Sequence, residues 1–349
     1  VTLPCFAALP DLQAVPGPFW LLTGLHLLTF VLHLVAMSAL VGGMLVVLTE
    51  RSHDRWSRPA VRRLLSLFPV LMAATVTLGI APLLFLQLSY GKVAYSAAIT
   101  SAVPWFLVPF LAMSAYALLY AASHRPAGDA GAGTRLHLAF AFLMSVALVY
   151  SSTFSLAERP DAYARLYAGT ASGLTRDPDV LRWVPRWLQT IATAAALGAF
   201  VTGLVVRDDA SLRTTASRLF LRTAVVAALA AGARVGLDGT FRSALGLGGG
   251  VALAVGVLSP LAAFPLLRGE ARGRTLAAGT LLVGGLVASV VARHLARLST
   301  LAGSFDPAAP SVRPQWDVFA IFVVCLVGAL ATMAYMLRVW FAKSPPHAG

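Results

Sequence analysis

Of the seven histidines in the chain, four, His26, His33, His137 and His294, fall inside long apolar stretches. Ionisable side chains are expensive in such stretches and mark functional positions. Neutral imidazole is a ready ligand for iron. Several histidines on separate apolar helices, without accompanying carboxylates, point to haem ligation more than to a carboxylate-rich metal site. His26 and His33 share the run GLHLLTFVLHLVAM, a spacing of about two turns, or about 10.5 Å along nearly one helical face. A His26/His294 pair would hold one b-type haem axially, and Arg293 and Arg297 would neutralise its propionates. His33 or His137 would serve a second site. Met37, one turn past His33, offers a sulfur ligand, although methionine in membranes usually packs. The competing role for these imidazoles is hydrogen bonding to neighbouring helices, above all for His137 at the start of its stretch.

A second cluster of candidates ends the next apolar run, VTLGIAPLLFLQLSYGKVAYSAAITSAVPW. Gln87, Ser89, Tyr90 and Tyr95 would lie near a membrane boundary and suit a quinone, whose carbonyls take hydrogen bonds from amides and phenols. Leu83, Leu84 and Phe85 would line the groove for its tail. An ordinary aromatic belt with a turn at Gly91 accounts for the same residues. Arg234 and Asp238 stand four apart and are expected to neutralise each other. The glycine run at 245–250 lacks the Lys-Ser/Thr of a phosphate loop and reads as a turn or a close-packing site. Cys5 and Cys325 form no CxxC or CxxCH, so neither a disulfide framework nor covalent c-type haem is expected. The first 17 residues carry no Lys or Arg and three prolines; a cleaved signal peptide with a basic leader is not expected.

The elements that must position these residues are membrane spans. The 349 residues are 58% hydrophobic and 12% charged, with a mean hydropathy of +0.78. Soluble domains run at about 45–50% apolar and about 25% charged. The apolar runs recur along the whole chain, which sets aside single-pass, secreted and nucleic-acid-binding classes. The net charge of +13 is then a topology signal. Runs near 18–49, 64–90, 102–123, 135–156, 184–206, 216–237, 246–267, 275–296 and 316–341 predict an all-α polytopic bundle of about nine spans, a single integral membrane domain over 1–349. The seventh is weakened by Gly248, Gly249, Gly250 and Pro260. Arg51, Arg55, Arg58, Arg62 and Arg63, then Arg125 with Arg135, Arg207 with Arg213, and Arg268, Arg272 and Arg274 fall in alternate connections. The positive-inside rule therefore puts the N-terminus outside and the C-terminus inside. The long outer loop, 157–183, mixes Arg with Glu158, Asp161, Asp177 and Asp179 and suits the headgroup region or a docked partner. No internal repeat stands out.

The first three spans resemble those of cytochrome bd subunit I. A His-bearing first helix ends in an acid (LHLLTFVLHLVAMSALVGGMLVVLTE), a second reads TLGIAPLLFLQLSYG, and a third follows a short outer turn. The resemblance covers about the first 120 residues and implies a nine-span scaffold in which His26 or His33 takes the place of the first-helix haem ligand. The family's third helix carries intramembrane carboxylates, whereas 102–123 here has no Asp or Glu, and the connection at about 238–245 is far shorter than the family's quinol-binding loop. The resemblance implies a subunit of a respiratory complex, passing electrons between quinol or quinone and a cytochrome or other redox partner, in a bacterial cytoplasmic membrane. It need not reduce oxygen itself. Two rival classes fit the same composition: a cofactor-free transporter or channel with spans broken at Pro82, Pro104, Pro109 and Pro260, and a structural anchor that holds a peripheral protein through the 157–183 loop.

Overall fold

In a computed structural model the described residues are 14–162, 166, 179–265 and 272–342. Cys5, Lys343 and most of the 157–183 loop lie outside them. Among the described residues nine helices are long and apolar enough to cross a membrane. They are α1 (Phe19–Thr49), α2 (Pro59–Thr100), α3 (Ala102–Ser123), α4 (Gly131–Ala157), α5 (Val180–Val205), α6 (Ala210–Leu237), α7 (Gly239–Ala263), α8 (Arg272–Leu301) and α9 (Trp316–Ala342). The protein is an all-α integral membrane bundle.

α1 is the central staff, in contact with α2, α4, α5, α6 and α8. Its 31 residues span about 46 Å, well over the roughly 30 Å of a hydrocarbon core. It meets α5 backbone to backbone. Gly42 lies against Gly198, and a Cβ on Gly198 would overlap the Ser38 carbonyl. Small residues at a crossing let two membrane helices approach where no hydrophobic force drives them together. α7 and α8 pair in the same way, Gly256 against Ser289 and Gly285 against Ser259. α9 has no buried residue and touches the bundle through α2. Its start is tied down by extended backbone: Val15 N–H donates to Ser311 O and Arg313 N–H to Val15 O, each at 2.9 Å.

Two elements differ from the sequence expectation. The turn expected at Gly91 is a kink at Tyr90 (φ −127°, ψ 22°), after which a second helical stretch, kept apolar by Ala, Val and Ile, carries α2 on to Thr100. The expected connection at 238–245 is also helical. Asp238 alone separates α6 from α7, and its Oδ1 accepts the Phe241 N–H at 3.0 Å, an N-cap that starts α7 seven residues early. The break in α7 falls instead at Gly246, whose φ of +56° only glycine adopts freely.

At the face where α1 ends, Glu50 knots three elements together. Its Oε1 accepts from Ser52 N–H at 3.2 Å, Ser52 Oγ at 3.0 Å and Ser211 Oγ at 3.1 Å, and its Oε2 from Thr215 Oγ1 at 2.7 Å. Arg58 reaches Asp209 beside it at 2.8 Å. Burial pushes the Glu50 carboxyl up, but the bonds from Thr215, Ser52 and Ser211 outweigh it and hold the carboxyl below its ordinary value of 4.5. A depressed carboxyl stabilises the fold above its unfolded pKa, and that contribution is lost as pH falls through the folded one. Glu50→Gln is therefore expected to lower stability by about 1–2 kcal/mol at neutral pH. Thermal unfolding in detergent should show the gap to wild type closing as the pH falls below 4.5; a gap independent of pH would refute it.

Candidate functional site

The histidines of α1 are oriented by α2. His26 Nδ1 donates to the Pro82 carbonyl and His33 Nδ1 to the Thr75 carbonyl, each at 2.9 Å. A carbonyl only accepts, so Nδ1 carries the proton in both rings and Nε2 keeps its lone pair. The register is that of two antiparallel helices: seven residues forward on α1 matches seven back on α2. Gly79 makes room, since a Cβ there would come within 2.9 Å of His33 Nδ1. Phe30 sits between the two imidazoles and stacks on both, at 5.8 Å and 7° from His26 and 6.3 Å and 19° from His33.

Across the bundle, α8 brings His294, Arg293 and Arg297 to the depth of His26, near the face where α1 begins. His26 lies within electrostatic reach of all three. His294 is buried and its Nδ1 has no hydrogen-bond partner. Arg297 Nε donates to Glu158 Oε1 at 3.4 Å and its guanidinium lies 5.4 Å from the Tyr90 ring. Arg293 donates to Thr190 Oγ1 at 2.8 Å and lies 5.7 Å from the Phe30 ring.

The remaining histidine and half of the expected quinone contacts fall elsewhere. His137 is exposed, and its Nδ1 donates at 2.8 Å to the Gly133 carbonyl of its own helix. Met37 packs against the core. Tyr90 and Ser89 are buried, each with a hydroxyl that has no partner, and Tyr90 borders a small void with Phe154, Glu158, Arg297 and Leu301. Gln87 and Tyr95 do not line that void, and Tyr95 is 51% exposed.

The largest departure is a buried charge cluster. Arg186 Nη1 donates to Glu158 Oε2 at 2.9 Å. Asp238 has Arg182, not Arg234, as its ion partner at 3.3 Å; Arg234 instead stacks 3.5 Å over the Phe241 ring. Asp238 spends Oδ1 on capping α7, which turns its other oxygen toward α5. Five guanidiniums (Arg182, Arg186, Arg234, Arg293 and Arg297) thus share the end of the bundle where α1 begins with two carboxylates, Glu158 and Asp238, linked by a chain of electrostatic contacts. Burial pushes the Glu158 carboxyl up; Arg186, Arg297, Arg234 and Arg293 overcome this and hold it below 4.5.

Sequence reasoning missed the pairing of Glu158 and Arg182, having read 157–183 as a headgroup loop, and passed over Arg186 at the start of the run 184–206. The available signal was the i, i+4 spacing of the two arginines at the start of an apolar run. Among the described residues no three His, Cys, Asp or Glu gather as a metal cluster. No protein-family profile matches the chain, and no curated protein matches it in sequence.

Proposed function

We propose that the protein is a b-type-haem subunit of a respiratory electron-transfer complex in a bacterial cytoplasmic membrane, moving electrons between quinol or quinone and a cytochrome or other redox partner. One observation carries the reading. His26 lies within electrostatic reach of His294, and its Nδ1 proton is already given to a backbone carbonyl, the arrangement that orients and strengthens an imidazole ligand. The residues fit the group in a second respect, because the positive excess around Arg293 and Arg297 suits two carboxylates. His26 and His294 would hold the iron, His33 would serve a second site on the same staff, and Arg293 and Arg297 would face the propionates. A haem supplies one-electron redox chemistry in a site whose potential burial and neighbouring charge tune. Tyr90, with its buried unpartnered hydroxyl, would donate to a quinone carbonyl beside Arg297.

The break in α7 at Gly246 favours a second reading, a cofactor-free transporter. A reduced-minus-oxidised spectrum with a pyridine haemochrome assay separates the two. Stoichiometric b-type bands are expected in the purified protein, lost in His26→Ala and His294→Ala and unchanged in His137→Ala. A folded, full-length protein without haem would overturn the proposal.

A further inference from the structure

Between α1, α5, α6, α7 and α8 lies a narrow cavity of about 40 Å³, room on the order of a few waters or one small ion. One part of its wall is polar: Ser38, Gln189, Thr190, Thr193, Arg234 and Arg293. Another is apolar, with Leu34, Leu253, Leu286 and Val290. Two of the polar groups are more than nine-tenths buried and incomplete. Arg234 is 5% exposed with Nε unpartnered, and Ser38 is fully buried with Oγ unpartnered.

The cavity abuts the charge cluster. Among the described residues five guanidiniums there face two carboxylates, an excess of three positive charges. Guanidinium does not shed its proton in proteins, and buried charge without a counter-ion is strongly unfavourable. Thr190 holds Arg293 at the cavity wall, and Phe241 holds Arg234. Two pinned cations with hydroxyl and amide donors beside them form a receptor for an oxyanion.

We propose that this cavity binds an oxyanion, phosphate or carboxylate, held by Arg234 and Arg293, with Leu253, Leu286 and Val290 beside it where the chain of an amphiphile carrying that head would leave through the mouth. The source of that head is a membrane amphiphile or a free anion, and the chemistry of the site is common to both. The proposal shares Arg293 with the haem reading but does not rest on it, since neither His26 nor His294 lines the cavity.

The test is thermal unfolding of the full-length protein in maltoside detergent with three probes: dodecyl phosphate, dodecylphosphocholine and inorganic phosphate. Haem content is recorded on the same samples. Dodecyl phosphate is expected to raise the midpoint by on the order of 5 °C at saturation and dodecylphosphocholine to do far less. Arg234→Gln and Arg293→Gln should weaken the response about tenfold or more, while Arg234→Lys keeps part of it and Arg242→Gln, on the exposed side, keeps all of it. An equal response to inorganic phosphate supports the site with a free anion as its source. No charge-selective response in wild type, or one that survives both Gln variants, overturns the proposal. So does a response seen only in haem-free protein, because the cavity would then belong to the haem's own carboxylates. Absence of haem with the charge-selective response intact would sink the electron-transfer reading and leave this site standing.

Discussion

Glu158→Gln is expected to lower stability by about 3–5 kcal/mol, the range for removing one partner of a buried ion pair. Glu158 is 8% exposed and answers two guanidiniums directly, Arg186 at 2.9 Å and Arg297 at 3.4 Å. Glutamine keeps the shape and removes the charge, which leaves Asp238 as the only carboxylate among the described cluster. The effect separates from ordinary packing through second substitutions. Glu158→Gln/Arg297→Gln and Glu158→Gln/Arg186→Gln should each recover part of the loss, because each removes a cation that the acid had neutralised, and non-additivity of this kind is the mark of direct coupling. The depressed carboxyl adds a pH signature. Its contribution is complete above the ordinary value of 4.5 and disappears as the pH falls through the folded value. Unfolding midpoints in detergent, with and without the second substitution, measure both; a loss below about 1 kcal/mol, or strictly additive doubles, would refute the role.

What the sequence made legible follows from the range of the physics involved. Nine apolar runs longer than a bilayer is thick were readable one by one, since the signal is local. The helical stretch beyond the Tyr90 kink and the early start of α7 were not, because they depend on local details: apolar side chains that carry α2 on past Tyr90, and a carboxylate at Asp238 that caps α7. The same contrast holds at the site. His26, His33 and His294 stand out as polar residues in apolar runs, and depth along alternating spans already places His26 and His294 toward the same end of the bundle. The cluster around Glu158 joins residues 28 and 139 positions away, and nothing local announces such pairs. The expected Arg234–Asp238 pair shows the limit of spacing as evidence: four residues put the two on one face, and competition from Arg182 and from the α7 N-cap decided the partners.

The crossing of α1 and α5 should be the least forgiving place in the bundle. A Cβ on Gly198 would overlap the Ser38 carbonyl and crowd Gly42, so even Gly198→Ala forces two backbones apart, with no flexible side-chain end to yield. Overpacking of a tight core costs about 1–3 kcal/mol where neighbours can shift. Here the neighbour is helical backbone, and Gly198→Leu is expected to exceed that range and abolish the folded, monodisperse protein. Gly203, five residues on, has only the Ala216 Cβ at 3.6 Å, an ordinary contact, so Gly203→Ala should stay within about 1 kcal/mol of wild type and serves as the control. The consequence reaches the site because α1 carries His26 and Phe30 while α5 carries Arg186, Gln189 and Thr190. Separating the two helices opens the polar wall before it unfolds the bundle. Gly198→Ala should therefore retain the fold, with a lowered midpoint, and lose Arg293–Thr190 and Arg186–Glu158 geometry in proportion. Yield on size exclusion, unfolding midpoint and the response to dodecyl phosphate, read together on the three variants, check it; a Gly198→Leu protein as stable as wild type would show that the crossing does not depend on the glycine.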